Sequence, residues 1–389
     1  MNANWRSRFW KSKIAVTCSS LLILILITSL LSPWIAVDPS KDANNQVLQL
    51  SLQPPVYQVN VLKRIKNLPA VIKEETPKKI KPTRENSEWI PFDSLSFTQN
   101  SVKVLFRGSQ RIVEIGDVLL PYKSESTKQS DSKELTYFDI KGMSHTWSYP
   151  EALSIIRADH VDHINYLFGT DKYGRDVLSR ILRGVRISLF IGFLAVMVSV
   201  IIGVTIGSLG GYFGGWIDRV VMLIINTSWS IPTLLLAFAI IIAFGKGLSV
   251  IVLAVGLTMW VDIARLIRGQ VMQIKNEIFV QSAKVLGFNN YRIILKHILP
   301  NTLGPLLVMA AANFATAVLV EAGLSYLGLG IQPPTPSLGN MLQENYAYAT
   351  GGFVYLAIFP ILMIMTLVLC FNLLGTSLRD VFDVKTKMK

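Results

Sequence analysis

One polar and basic stretch, IFVQSAKVLGFNNYRIILKHILPN, runs from Ile278 to Asn301 between two long apolar runs. Its first half carries an apolar face at helical spacing, formed by Ile278, Phe279, Ser282, Val285 and Leu286. Gly287 follows at the position where a helix C-cap needs a left-handed residue. The pattern therefore predicts a short amphipathic helix that ends at this glycine.

The second half of the stretch predicts another short helix. Asn289 and Asn290 are residue types that begin helices, and Pro300 closes the pattern. One apolar side lies between them, formed by Ile293, Ile294, Ile298 and Leu299. Spacing alone leaves two interpretations open: a helix-turn-helix that docks into a soluble partner, or an amphipathic loop that lies on the bilayer surface.

The composition of the whole chain is that of a protein that crosses a membrane several times. Its 389 residues are 51% hydrophobic and 16% charged, and the mean hydropathy is +0.43. Several apolar runs reach the roughly 20 residues that a membrane-spanning helix needs. The net charge of +13 is interpreted as a topology signal rather than as a sign of nucleic-acid binding. Cys18 and Cys370 lie inside apolar runs, which indicates packing residues without a disulfide or metal framework.

The apolar runs predict six membrane-spanning helices. The first, at 14–37, follows a basic N-terminus and is too long for a signal-peptide core, which indicates an uncleaved signal anchor. The other five are expected at about 187–212, 218–244, 249–267, 303–327 and 353–374. Six spans with an inside N-terminus place both termini and the basic loop 268–301 in the cytoplasm, in agreement with the positive-inside rule.

This topology divides the chain into four parts. They are a cytoplasmic N-terminus with the first helix (1–37), an extracytoplasmic insert (38–166), a five-helix transmembrane domain (167–376) and a cytoplasmic tail (377–389). In the insert, SVKVLFRGSQRIVEIGDVLL at 101–120 predicts a β hairpin that turns at Gly108-Ser109. The predicted fold class is an all-α polytopic membrane protein with a cytoplasmic helix-turn-helix and a small, partly β extracytoplasmic insert.

Residues inside the spans are candidates for helix packing and for a transport pathway. Gly203, Gly207 and Gly211 recur every four residues on the second span and leave one face bare, so another helix can approach closely. A polar set either lines a pathway or bonds across helices, and it comprises Asn226, Ser230, Thr233 and Glu321. Asp262 and Arg265 are three apart and are expected to pair on one helix face.

The chain shows no sequence motif for catalysis. It has no G-x-x-x-x-G-K-[ST] phosphate loop, and spacing suggests neither a Ser/His/Asp nor a Cys/His arrangement. His160 and His163 have a spacing that can hold a metal, but two histidines in a polar loop are more often solvated. We therefore expect no catalytic residue, no metal site and no cofactor bound by this chain.

Three sequence blocks resemble one known family. VQSAKVLGFNNYRIILKHILPN resembles the EAA loop of ABC importer permeases, in which Glu-Ala-Ala, three residues and Gly precede a segment that ends His-x-Leu-Pro-Asn. The matching positions are Ala283, Gly287, His297, Leu299, Pro300 and Asn301. Gln281 and Ser282 stand where the family has Glu and Ala, so an ion pair made by that Glu is not expected here.

The other two blocks are similar to dipeptide and oligopeptide permease C subunits. FGTDKYGRDVLSRILRGVRISL, at 168–189, carries their Gly-Thr-Asp-x-x-Gly-Arg-Asp signature at Gly169, Thr170, Asp171, Gly174, Arg175 and Asp176. LSYLGLGIQPPTPSLGNML, at 324–342, resembles the stretch after their fifth span. The resemblance covers about 168–383 and the first span, and it omits the insert, which is much longer than is usual in the family.

The resemblance implies a permease subunit of an ATP-driven importer in the bacterial cytoplasmic (inner) membrane. Its implied partners are a homologous permease, two ATPase subunits that hold ATP and Mg, an extracytoplasmic substrate-binding protein and the lipid bilayer. The implied ATPase-coupling residues are Gln281, Ser282, Ala283, Lys284, Gly287, Arg292, His297 and Pro300. The implied cargo is a di- or oligopeptide, and close relatives carry nickel chelates, glutathione or antimicrobial peptides.

Two other classes of protein compete with this interpretation. An ion-driven secondary transporter needs buried acids at the bilayer midplane, and the candidates Asp262 and Glu321 both lie near span ends. A membrane-anchored sensor or scaffold would account for the insert but not for the three matching blocks. Neighbouring genes for ATPases with phosphate loops and for a secreted binding protein would separate the importer from both.

Overall fold

The structure, a computed structural model, describes residues 5–66, 87–98, 100–120, 129–131, 134–138 and 144–382. The chain forms two compact units. The membrane unit comprises Met1–Leu31 and Ile181–Lys389, and the insert unit comprises Ser32–Arg180. The predicted cytoplasmic tail lies outside the described residues from position 383 onward.

Three helices begin the chain: α1 (Trp5–Lys11), α2 (Lys13–Leu30) and the short α3 (Ser32–Ile35). The hydroxyl of Ser12 caps α2 by accepting a hydrogen bond from the backbone N–H of Ala15 at 3.3 Å. Helix α2 ends at Leu30, several residues before the predicted limit of 37. Cys18 and Cys370 are both free and buried, on α2 and on the last long helix.

In its described residues, the insert unit is built from α3, further short helices and short strands. In chain order, the strands and the α-helices after α3 are β1 (Tyr57–Ile65), β2 (Ser87–Phe92), β3 (Ser94–Thr98), β4 (Ser101–Phe106), β5 (Ser109–Glu114), α4 (Ile115–Leu119), β6 (Gln129–Asp131), β7 (Glu134–Phe138), β8 (Ser144–Ser148), α5 (Tyr149–Ile155) and β9 (Val161–Tyr166). They form three antiparallel three-stranded sheets with the orders β2-β1-β9, β3-β4-β5 and β6-β7-β8.

The predicted hairpin is confirmed as β4–β5, but its turn lies one residue earlier than expected. Phe106 pairs with Ser109, so the loop residues are Arg107 and Gly108, with φ of +47° and +79°. Two residues with positive φ match the right-handed twist of the strands that they join. Val102, Val104 and Val113 point to one face and form part of the buried core of the insert unit.

In the part of the chain that the structure describes, the membrane unit continues with nine helices. They are α6 (Val177–Phe213), α7 (Gly215–Trp229), α8 (Thr233–Phe244), α9 (Leu248–Ile274), α10 (Ile278–Val285), α11 (Asn290–Ile293), α12 (Leu299–Tyr326), α13 (Leu338–Thr350) and α14 (Tyr355–Phe382). Within the described residues, five helices of the chain are long and apolar enough to cross a membrane, and the pair α7 and α8 would make a sixth span. The predicted polytopic helical fold is confirmed.

The third predicted span, at 218–244, is not a continuous helix. Helices α7 and α8 meet at an angle of 89°, with the break at 230–232. Pro232 has no N–H to donate to the preceding turn, and its φ of −56° and ψ of 128° carry the chain out of the helix. The sequence shows the proline, but it does not predict the size of the bend between α7 and α8.

Helix α6 packs directly on α9 along the glycine ladder. A Cβ added to Gly203 would lie 2.7 Å from Ile263, and one added to Gly211 would lie 2.7 Å from the carbonyl oxygen of Arg268. A Cβ on Gly207 would collide with the carbonyl oxygen of Ala264. The ladder therefore holds α6 against α9, the helix that leads into α10.

Candidate coupling site

Helix α10 ends in a Schellman motif, which fixes the turn of the loop. Gly287 has φ of +77°, and its N–H donates to the carbonyl oxygen of Lys284 at 2.9 Å. The N–H of Phe288 donates to the carbonyl oxygen of Ala283 at 3.1 Å. These two bonds satisfy carbonyls that a helix end leaves open. The predicted left-handed C-cap glycine is confirmed.

The second helix begins at its predicted cap but does not end where it was expected. Asn289 accepts a hydrogen bond from the N–H of Tyr291 at 3.3 Å and so starts α11. A π-helical turn, Ile294–Ile298, joins α11 to α12. Pro300 lies in the first turn of α12, where a proline needs no hydrogen bond. The prediction that Pro300 closes the pattern is therefore wrong.

One side of the loop is anchored in the membrane unit. Val280, Ala283, Ile293 and Ile298 are buried, and they share a core cluster with Tyr212, Ile263, Ile267 and Val271. The Tyr212 hydroxyl also donates to the side-chain oxygen of Asn290 at 2.7 Å. The ammonium group of Lys275 donates to the carbonyl oxygen of Gly211 at 3.0 Å. The loop is thus joined to the ends of α6 and α9.

The opposite side of α10 is apolar and exposed. Ile278 is 83% exposed, Val285 88% and Leu286 72%. These three residues, which we call the docking face, belong to the apolar stripe found in the sequence. The stripe faces outward. Val280 and Ala283, on the opposite side of α10, are the residues that contact the core. Helix α10 therefore has one apolar side inside the protein and another outside it.

The basic and aromatic residues of the loop hold one another in place. The guanidinium of Arg292 lies 4.3 Å from the centre of the Phe288 ring, which also stacks on His297 at 5.9 Å. The ammonium of Lys284 lies 5.3 Å from the centre of the Tyr212 ring. Lys284, Arg292 and Lys296 are all exposed, whereas His297 is half-buried.

Gln281 and Ser282, which depart from the family motif, make local bonds in the loop. The Gln281 amide donates to the carbonyl oxygen of Lys275 at 2.9 Å, and the Ser282 hydroxyl donates to the carbonyl oxygen of Ile278 at 2.9 Å. An ionised glutamate has no proton to donate to this carbonyl. The glutamine therefore makes a bond inside the loop that the usual acid cannot make.

An ion pair beside the loop was missed by the sequence analysis. Arg268 on α9 donates from Nε and Nη2 to the two carboxylate oxygens of Asp218 on α7, at 2.5 Å and 2.6 Å. Such a two-point contact holds both groups in one orientation. The available signal was an acid at the start of the third span and an arginine at the end of the fourth, but the sequence does not show that these ends meet.

The predicted pathway residues separate into two places. Asn226, Ser230 and Thr233 are exposed around the bend between α7 and α8. Glu321 is fully buried, and its carboxylate accepts hydrogen bonds from the hydroxyls of Ser188 at 2.7 Å and Ser325 at 2.8 Å. Glu321 therefore bonds from α12 to Ser188 of α6, whereas the other three residues are exposed.

Arg265 also differs from its expected role. It was expected to pair with Asp262, but its Nη2 donates to the side-chain oxygen of Asn226 at 3.3 Å. Its guanidinium lies 4.3 Å from the centre of the Trp229 ring. Arg265 therefore links α9 to α7 close to the bend, while Asp262 is exposed on α9.

The signature residues of the insert unit form a buried polar cluster before α6. Asp171 accepts bonds from Arg175 Nε at 2.7 Å and Arg180 Nη1 at 2.8 Å, and all three side chains are buried. Thr170 donates to the carbonyl oxygen of Leu50 at 2.5 Å and accepts from the N–H of Gln53 at 2.8 Å. These contacts tie the chain near residue 50 to the start of the helix.

The glycines and the second aspartate of the signature complete this cluster. Gly169 and Gly174 have φ of +74° and +71°, and a Cβ on either would collide with the backbone near residue 50. Asp176 accepts bonds from the N–H (2.8 Å) and the hydroxyl of Ser179. Burial raises the pKa of the Asp176 carboxyl to about 6. In this structure the signature joins parts of the insert unit to one another.

The paired histidines hold strands together in the described structure. His160 Nδ1 lies 2.8 Å from the carbonyl oxygen of Lys63, and burial lowers the pKa of this imidazole. His163 Nδ1 lies 3.0 Å from the side-chain oxygen of Asn60. Among the described residues there is no group of three His, Cys, Asp or Glu side chains that could hold a metal.

The fold agrees with the family comparisons. Residues 181–387, just over half of the chain, match the family described as binding-protein-dependent transport system inner membrane component. Residues 3–55 match the N-terminal TM domain of oligopeptide transport permease C. The chain belongs to the first of these families and is the permease subunit of an ABC importer, a multi-pass inner membrane protein. It works with ATPase and binding-protein components, and ATP is hydrolysed by the partner ATPases.

Individual proteins of known name are also similar to this chain. The chain is 44% identical over 224 residues to the glutathione transport system permease protein GsiD of Shigella flexneri serotype 5b (strain 8401), which covers 58% of this chain and 74% of that protein. It is 41% identical over the same length to GsiD of Escherichia coli O157:H7, with the same coverage. A solved inward-facing structure of the MetNI methionine ABC transporter is similar at a TM-score of 0.41 and 21% identity, over 52% of this chain and 97% of that one.

Proposed function

We propose that α10 and α11 form the coupling element that docks into a groove of the partner ATPase. The observation that carries the proposal is the division of α10 into a buried side and an exposed apolar docking face. The three side chains of the docking face are 72–88% exposed. Covering them would contribute on the order of 5 kcal/mol before the costs of association. An apolar surface on a basic cytoplasmic loop is suited to a protein groove.

The buried side of the same helix supports transmission of motion. Val280 and Ala283 are packed in one cluster with Ile263 and Ile267 of α9, so α10 cannot move without moving its neighbours. The glycine ladder then joins α9 to α6. ATP binding closes the ATPase pair, the docked loop follows, and α9 and α12 tilt to switch the cavity from one side to the other.

The test of coupling places a charge on the docking face. Val285→Asp puts a carboxylate at an 88% exposed position, so the fold of this chain is preserved while docking loses apolar contact. The expected result is at least a tenfold loss of substrate-stimulated ATP hydrolysis and uptake by the reconstituted complex. The matched control is Ile112→Asp on β5, which is 60% exposed and outside the loop, and it should retain both activities. Full activity of the Val285 variant would refute docking through this face.

We further propose the assembly in which this loop works. The chain pairs with a homologous permease above two ATPase subunits, which hold ATP and Mg, and a substrate-binding protein docks outside. This chain binds no cofactor, and both of its termini are cytoplasmic. The exposed Asn226, Ser230 and Thr233 line the pathway near the bend of α7 and α8. Accessibility of cysteines introduced at both termini and at Ile112 to a membrane-impermeant reagent tests the orientation.

We propose that the cargo is a short peptide, with glutathione as the first candidate. The relatives of 41–44% identity are named for glutathione transport, and the N-terminal match is to an oligopeptide permease. The test is uptake of labelled glutathione, a dipeptide and a tetrapeptide into proteoliposomes that hold the complex with its binding protein. Saturable, ATP-dependent uptake of at least one peptide supports the proposal. Uptake of none of them, with ATP hydrolysis intact, contradicts it.

A further inference from the structure

An apolar groove of about 690 Å³ runs along the membrane unit between α2 and α6. Leu26 of α2 and Phe190 and Phe193 of α6 form its rim, and they are 42%, 50% and 56% exposed. Phe314 of α12 and Phe371 of α14 form its floor. The groove is therefore built from four helices of one unit and opens on their outer surface.

The floor of the groove is held in a fixed arrangement. The rings of Phe314 and Phe371 stack at 4.1 Å between centroids, with an angle of 21° between their planes. Phe314 reaches α6 at Gly192, where an added Cβ would lie 3.0 Å from its ring. The absence of a side chain at Gly192 is thus part of the shape of the groove.

The dimensions of the groove suit one lipid tail. Its lining on α2 extends from Leu22 to Leu30, nine residues whose ends are about 12 Å apart along the helix. One leaflet provides about half of the roughly 30 Å hydrocarbon core. A single acyl chain within one leaflet can therefore lie along the groove for most of its length.

The charge at one end of the groove selects among lipids. Arg186 is the only charged residue among the described residues that line it, and its side chain is exposed. Within the described part of the chain, Arg186 makes no side-chain hydrogen bond or ion pair. Helices α2 and α6 contain no Asp or Glu. On α12, the buried carboxylate of Glu321 is enclosed by serine hydroxyls. An anion from outside the chain can therefore bind the exposed guanidinium of Arg186.

We propose that the groove is a binding site for an anionic phospholipid. One acyl chain lies over Phe314 and Phe371 between α2 and α6, and the phosphate accepts hydrogen bonds from the guanidinium of Arg186. Arginine presents two parallel N–H groups to a phosphate, and a membrane supplies the apolar tail and the anion in one molecule. The lipid then fills the space between the first transmembrane helix and the bundle. This site is separate from the coupling loop and from the proposed pathway.

Photolabelling of the reconstituted complex tests the proposal. Vesicles of phosphatidylcholine receive a small fraction of either phosphatidylglycerol or phosphatidylcholine that carries a photoreactive group in one acyl chain. Peptides that contain residues 22–30 and 187–193 are expected to take up about five times more phosphatidylglycerol label, as one arginine near the surface implies. Arg186→Gln should reduce this excess to none, and Arg186→Lys should keep most of it.

The control variant is Arg219→Gln on α7. Arg219 is also an exposed arginine without a side-chain bond in the described structure, but it does not line the groove. The Arg219→Gln variant should leave the labelling of α2 and α6 unchanged. Equal labelling by both lipids in the unmodified complex would overturn the headgroup assignment. Label spread evenly over other exposed apolar positions, such as Leu362 and Leu369 of α14, would overturn the site itself.

Discussion

Substitution of Gly287 gives the sharpest test of how the coupling loop is shaped. The residue has φ of +77°, and an added Cβ meets nothing within 4 Å, so any effect of a side chain within this chain comes from the backbone and not from crowding. A β-branched residue in this left-handed conformation costs about 1–2 kcal/mol, whereas asparagine tolerates it well. Gly287→Val and Gly287→Asn therefore form a matched pair.

The cost cannot be avoided by relaxing the turn. A change to negative φ breaks the bonds from Gly287 to Lys284 and from Phe288 to Ala283, each of which contributes about 1 kcal/mol. Either route shifts the population of the native turn by a factor of about 5–30. We expect Gly287→Val to lower substrate-stimulated ATP hydrolysis and uptake by a comparable factor, with normal assembly.

The assay compares both variants with the unmodified complex in the same vesicles. Gly287→Asn should retain at least half of the coupled activity. If the valine variant assembles and matches the asparagine variant in ATP hydrolysis and uptake, the left-handed turn is not needed for coupling, and the argument from the Schellman motif is refuted.

Three further predictions concern other parts of the structure. Glu321→Ala should lower the unfolding temperature of the complex more than Glu321→Gln, because alanine leaves buried serine hydroxyls without a partner at a cost of about 1–3 kcal/mol each; equal melting temperatures would contradict this. Gly207→Ala forces α6 away from Ala264 and should destabilise by about 1–3 kcal/mol, whereas Gly269→Ala, which meets nothing within 4 Å, should not. For Asp176, whose folded pKa is raised to about 6, the neutral carboxyl favours the fold, so stability is lost as pH rises from about 4 to about 6, by up to about 3 kcal/mol. Hydrogen exchange of residues 38–53 should accordingly be faster, after correction for intrinsic rates, at pH about 7 than at about 5, and Asp176→Asn should remove this difference.

Local features of the coupling loop were predictable from the sequence. The glycine C-cap at Gly287 and the asparagine cap at Asn289 depend on residue type and neighbours within a few positions, so spacing identifies them. Which face of α10 packs against the core was not predictable in the same way. Its apolar stripe is exposed, because two other apolar residues, Val280 and Ala283, contact the core.

Long-range contacts explain the remaining differences. Arg268 pairs with Asp218, fifty positions away, and Glu321 is enclosed by a serine on α6, so neither partner can be inferred from spacing. The bend at Pro232 was visible as an interruption of the helix, but the angle of 89° depends on how both halves pack. Alternation in the insert predicted one hairpin, but it could not predict that β1 pairs with β9, which is about a hundred residues away in the chain.

The central claim is that the exposed side of α10 lies in the ATPase groove of the assembled importer. A photoreactive amino acid at Val285, compared with the same group at Ile112, tests it most directly in a complex that hydrolyses ATP in response to substrate. An adduct with the ATPase subunit is expected from position 285 and none from position 112. A coupled complex that gives no ATPase adduct from position 285 would contradict it.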